Sequence, residues 1–237
     1  VASLDFRTNS NNPNPRVACA LLLDTSHSMG EPTVYGGPTA IDELNAGFAA
    51  FCDQIKTDDL AKKRAEIAVI TFGGEAQIAI GFTEGRHLQP QIFKASGATP
   101  MGDALHIAVD ELTRQKQAYK DAGLLYYRPW LFIVTDGGAT DVPEPFESAA
   151  ERVRELEAAN GVNVFAIGVG GYADFEQLSK LSDVRQPLRL KGLSFAEFFL
   201  WLSASMSAAS TSGLTSGNGD GEGALALPPA RWGEIAL

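Results

Sequence analysis

Val17-Ala18-Cys19-Ala20-Leu21-Leu22-Leu23-Asp24-Thr25-Ser26-His27-Ser28 decides the fold of this chain. Its first seven residues are an unbroken apolar run, the pattern of a strand buried on both faces rather than one. Strands of that kind belong to open, mostly parallel sheets covered by helices on either side. The run ends on one carboxylate and two hydroxyls in the spacing D-x-S-x-S. That spacing gathers three short, hard oxygen donors into one turn, a set suited to Mg²⁺ and not to a soft metal. Gly30 then lets the chain turn tightly away.

Two distant stretches can complete such a site. Trp130-Leu131-Phe132-Ile133-Val134-Thr135-Asp136-Gly137-Gly138 is a second buried strand ending in an acid and two glycines. Ser96-Gly97-Ala98-Thr99-Pro100-Met101-Gly102 is a loop ahead of an amphipathic helix, with the Thr99 hydroxyl as a donor. In a parallel sheet the carboxyl ends of neighbouring strands share one edge, where ligands collect. The candidate metal ligands are therefore Asp24, Ser26, Ser28, Thr99 and Asp136. Each has a plainer role as well. Ser26 and Ser28 suit turn caps, and Asp136 before two glycines suits an ordinary turn. Thr99 before Pro100 reads as a helix N-cap, a role compatible with offering its oxygen.

These five residues, in this order, match the metal-ion-dependent adhesion site of the von Willebrand factor A (VWA) family, which the chain resembles over roughly residues 16–208. A closer resemblance is to the cytoplasmic bacterial TerY group, named for tellurium-resistance operons. It is carried by Leu21–Ser26, Ala68-Val69-Ile70-Thr71-Phe72, Ala95–Gly102 and Phe198–Ser205. The resemblance implies a non-enzymatic, metal-dependent protein-interaction module. In it Ser26, Ser28 and often Thr99 bind Mg²⁺ directly (Mn²⁺ or Ca²⁺ are alternatives), while Asp24 and Asp136 commonly act through water, or one of them binds directly. So few charges on the ion leave it electrophilic, and the partner supplies an Asp or Glu carboxylate. The resemblance further implies a cytoplasmic stress-response setting, with a co-encoded protein kinase or PP2C-type phosphatase among the partners. Two features depart from the family: His27 stands where glycine is usual, and the loop Glu31–Thr39 is long.

Read from periodicity, the chain alternates strands and helices. Strands are expected near 17–23, 66–72, 76–82, 130–135, 162–169 and 187–190, and helices near 40–56, 101–120, 144–159, 172–181 and 194–208. Ile41, Leu44, Phe48, Phe51, Cys52 and Ile55 form one apolar stripe. Gly73-Gly74-Glu75 joins two strands as a hairpin, so one strand runs antiparallel. The fold class is α/β: a doubly wound, mostly parallel sheet with one antiparallel edge strand and helices on both faces. Residues 1–15 read as an extended arm, 16–208 as the domain, and 209–237 as a Gly/Ser linker with an apolar tail bearing Trp232. That tail either docks or hangs loose.

With 237 residues the chain holds one well-buried domain. A net charge of −10 argues against nucleic acid and anionic lipid as partners. No apolar run approaches the roughly 20 residues of a membrane span, and the N-terminus lacks signal-peptide features. Cys19 and Cys52 fall in apolar positions and read as free, which favours the cytoplasm.

A Mg²⁺-dependent hydrolase or phosphoryl-transfer enzyme on a similar sheet is the competing class. Such enzymes place a second acid two residues after the first, or a lysine for charge neutralisation. Here Ser26 holds that position, no lysine lies in the three site loops, and no phosphate-cradling glycine motif follows the first strand.

Overall fold

Every residue of the first strand, β1 (Val17–Asp24), is buried. Its side chains alternate as a twofold repeat demands. Val17, Cys19, Leu21 and Leu23 enter one apolar layer, and Ala18, Ala20 and Leu22 enter the other. The continuous apolar run is thus the consequence of helices covering both faces.

The computed structural model describes residues 12, 14–32, 37–211 and 232–235. The other strands are β2 (Ala65–Gly73), β3 (Glu75–Glu84), β4 (Trp130–Thr135), β5 (Asn163–Val169), β6 (Leu188–Leu190) and β7 (Gly233–Ile235). They form one sheet in the order β3-β2-β1-β4-β5-β6-β7. β1 pairs in parallel with β2 and β4, and β4 with β5, and β5 with β6. β3 is the expected antiparallel edge. A second antiparallel edge, β7, pairs with β6 through Leu188↔Ile235 and Leu190↔Gly233.

Helices α1 (Ala40–Thr57) and α6 (Phe195–Thr211) cover one face, where Phe48 and Phe51 meet Phe199. Helices α3 (Met101–Asp121) and α4 (Phe146–Ala158) cover the other. Short helices α2 (Ala61–Arg64) and α5 (Phe175–Ser179) fill connections, the latter only part of the helix expected over 172–181. No helix of the described residues is long and apolar enough to cross a membrane.

At the amino end of the sheet, the fully buried Arg16 lies 3.0 Å from Glu66 and donates to the carbonyls of Asn12 and Asn14. Glu66 also accepts from Tyr119 and Gln115. A buried charge pair holds only when its remaining valences are filled in this way.

The expected arm falls largely on residues 1–11 and 13, and the linker on 212–231, outside the described residues. Beyond that linker Trp232 is 2% exposed and its ring lies 5.0 Å from Phe198 and 5.3 Å from Trp201. Of the two states open to the tail, this part docks on its own domain. The aromatic side chains of α6 thus have two partners, Phe199 meeting α1 while Phe198 and Trp201 meet Trp232.

Candidate metal centre

The sheet winds outward in both directions from the β1–β4 pair, and such a switch point leaves a crevice at the carboxyl ends of its strands. Leu23 pairs with Val134, so Asp24 and Asp136 close the two strands side by side.

Asp24 is fully buried at the bottom of this crevice. Its carboxylate accepts from the Ser26 backbone N–H at 2.7 Å and from the Thr135 hydroxyl at 2.5 Å. Burial pushes its pKa from the ordinary 3.8 up to about 6; those hydrogen bonds oppose the rise and the nearby charge of Asp136 adds to it. Above it the Ser26 and Ser28 hydroxyls lie 3.1 Å apart, and Ser28 donates to Asp136 at 2.7 Å. The pKa of Asp136 is raised too, chiefly by burial. Ser26 is buried while Ser28 is exposed, so the cluster opens to solvent on the Ser28 side.

Thr99 is brought beside this cluster by its backbone. Its N–H donates to the Thr140 hydroxyl and its carbonyl accepts from the Thr140 N–H, both at 3.0 Å. The loop ahead of it is laced to its neighbours: Ser96 N–H to Thr25 O, His27 N–H to Gly97 O, and Gly74 N–H to Ala98 O. Among the described residues no hydrogen bond joins the Thr99 hydroxyl to the other four candidates. Thr99 is also not the helix cap. Pro100 occupies that position without a side-chain bond, and Asp141 caps from outside by accepting from Asp103 N–H at 3.2 Å. Tying Thr99 to Thr140 through the backbone leaves its side chain without that duty.

This lacing depends on Gly97. Its φ is +70°, and an added Cβ would sit 2.4 Å from the Gly74 Cα. Gly97→Ala therefore strains the backbone and pushes the loop off the hairpin turn. We expect a loss of about 2 kcal/mol or more in urea unfolding and about tenfold weaker cation binding through displacement of Thr99.

Sequence reasoning passed over Thr135, Thr140 and Asp141, which orient Asp24, Thr99 and the start of α3 respectively. The signal for Thr135 was present: a hydroxyl at the end of an otherwise apolar strand. His27 lies on the rim, its side chain 79% exposed and 3.8 Å from Glu31. Tyr35 and Gly36 of the long loop lie outside the described residues.

The donor chemistry fits a hard divalent cation. Two carboxylates with raised pKa values share the crevice with two linked hydroxyls, and neither carboxylate forms an ion pair among the described residues. Nor is any group of three or more His, Cys, Asp or Glu among them arranged to hold a metal. Any centre here must therefore draw on serine and threonine oxygens, which Mg²⁺ and Mn²⁺ accept.

The sequence profile of the von Willebrand factor type A domain matches residues 19–194. No curated protein sequence matches the chain. Among solved structures, the von Willebrand factor type A protein from Catenulispora acidiphila superposes with a TM-score of 0.60 at 16% identity, over 82% of this chain and 43% of that one. Proximal thread matrix protein 1 from the mussel byssus, with a zinc-occupied metal-ion-dependent adhesion site, gives 0.54 at 16% identity, over 82% and 48%. Manganese-loaded TRAP protein of Plasmodium vivax gives 0.54 at 18% identity, over 80% and 74%. The chain spans less than half the length of the first two. At these identities the likeness is one of fold.

Proposed function

Because this chain belongs to the von Willebrand factor type A family, whose domains are generally non-enzymatic interaction modules, we propose that it is a metal-ion-dependent protein-binding module. The observation that carries this reading is the chain of hydrogen bonds Ser26–Ser28–Asp136 above the buried carboxylate of Asp24, which has no cationic partner among the described residues. Ser26, Ser28 and Thr99 would hold Mg²⁺ through neutral oxygens, with Asp24 and Asp136 supplying charge from beside or behind them. A cation so held keeps its positive charge largely unspent and offers it to a partner's Asp or Glu oxygen. Zinc in the byssus protein and manganese in the Plasmodium protein support a divalent ion at such a site.

The chain's own residues then have separate tasks. The Thr135 hydroxyl and Ser26 N–H keep the Asp24 carboxylate turned into the crevice. The backbone bonds of Gly97 and Ala98 hold the Thr99 loop against the β1 loop and the β2–β3 turn. A finer placing rests on the resemblance to the TerY group: a cytoplasmic stress-response role of the tellurium-resistance type, beside a co-encoded kinase or PP2C-type phosphatase.

Calorimetric titration of Mg²⁺ and Mn²⁺ into chelator-stripped protein tests the reading. Saturable one-site binding is expected, weakened at least tenfold in a Ser26→Ala/Ser28→Ala double variant. Equal binding by the double variant would overturn it.

A further inference from the structure

Building on the carboxylate-binding reading above, we propose that the partner presents a single acidic residue flanked by bulky apolar side chains. One of these lies on the bare backbone of Gly170 and Gly171 against Tyr172.

A cavity of about 620 Å³ opens directly beside Ser28 and Asp136. That size lies within the range of pockets that enclose a ligand, roughly 300–1,000 Å³. Its far side is made by the loops after β5 and β6, including Gly170, Gly171, Tyr172 and Leu193. The glycines explain why there is room. At Gly73, Gly102 and Gly168 an added Cβ would fall within 2.5 Å of neighbouring atoms, so packing requires glycine there. Gly170 has a φ of +70°, so conformation accounts for it. Gly171 has neither reason: its φ lies outside the left-handed region and an added Cβ meets none of the described residues within 4 Å. A glycine that neither the backbone nor the packing demands leaves open a surface that something else can approach closely.

Tyr172, the next residue, is 95% exposed. A rigid aromatic on the lip of a pocket is the residue type that anchors protein interfaces, because it contributes area at little entropic cost. Apart from the metal residues, the charged side chain lining the cavity is Glu31, which is 69% exposed. A second acid in the partner would meet this carboxylate, and like charges brought together select against it. The cation accommodates one carboxylate, and the cavity accepts what adjoins it only if that is uncharged or basic.

Three peptides test this by amide chemical-shift titration of labelled protein in saturating Mg²⁺: acetyl-Gly-Phe-Glu-Phe-Gly-amide, acetyl-Gly-Gly-Glu-Gly-Gly-amide and acetyl-Gly-Glu-Glu-Glu-Gly-amide. The phenylalanine peptide should bind at least tenfold more tightly than the glycine peptide, and the triple acid no better than the glycine peptide. Gly171→Leu and Tyr172→Ala should each erase the preference while leaving Mg²⁺ affinity and the unfolding midpoint unchanged. Equal affinity for the first two peptides, or a preference that survives both substitutions, overturns the proposal and leaves the carboxylate-binding reading standing. If calorimetry shows Mg²⁺ bound and none of the peptides binds, that reading fails and this one with it.

Discussion

Asp24→Asn is expected to weaken Mg²⁺ binding by about a hundredfold and, at neutral pH, to make the cation-free protein more stable. Both effects come from the same burial. Asp24 is fully enclosed, with a pKa of about 6, so at pH 7.5 it is a charge held out of water without a cationic partner among the described residues. Asparagine keeps the shape of the network. Its oxygen accepts from Ser26 N–H as Asp24 does now, and its amide can donate to Thr135, whose hydroxyl turns to the Gly137 carbonyl 3.3 Å away. What is lost is the negative charge behind the hydroxyls. Even a carboxylate acting from behind the direct ligands costs about 10–100-fold in metal affinity when replaced, and here a full charge goes with it. A residue that lowers stability in the absence of its ligand is the expected signature of a functional position. Thermal unfolding in chelator, beside calorimetric titration, checks both halves. A variant that is less stable and binds Mg²⁺ normally would remove Asp24 from the centre.

The strand-and-helix order was legible because the physics behind it is local. β1 and β4 must be apolar on both faces to sit between two helical layers, so each announces itself as an unbroken run and its end is marked by the first acid. The hairpin was legible from Gly73-Gly74. β7 was not, since three residues paired across a stretch of Gly and Ser carry no periodicity of their own. Only Trp232, an aromatic in the apolar tail beyond that linker, hinted that something docks. At the site, the positions of Asp24, Ser26, Ser28 and Asp136 follow from strand ends. The surroundings of Thr99 do not, because Thr140 reaches it, and Asp141 reaches the Asp103 N–H behind it, from across the fold, and no spacing records that. The same is true of Gly171: its empty surroundings exist only once the loops after β5 and β6 meet.

The pH dependence of Asp24 gives a second large effect, with a sign opposite to that of a salt-bridged acid. Its folded-state pKa of about 6 lies above the ordinary 3.8, so between those values the native chain keeps a proton that the unfolded chain has lost. The stability contributed by the neutral form is complete below about pH 3.8, falls as pH rises through the window, and is gone above about 6. A shift of about two units is worth about 3 kcal/mol. Other groups act the other way: Asp59, held by a hydrogen bond from Lys62, has a lowered pKa and favours folding once ionised. The raw profile therefore mixes signs, and the difference between wild type and Asp24→Asn isolates this one. In chelator, the advantage of the asparagine variant should grow by roughly 2–3 kcal/mol between pH 4 and pH 7 in urea unfolding, with most of the change below pH 6.5. Saturating Mg²⁺ should close the gap at pH 7, because a ligand at a hundred times its dissociation constant returns about 2.7 kcal/mol to the wild type alone, and should do nothing at pH 4, where Asp24 is protonated. A gap that does not change with pH would mean that Asp24 is solvated in the folded protein, and a solvated carboxylate has no stored cost for a cation to relieve.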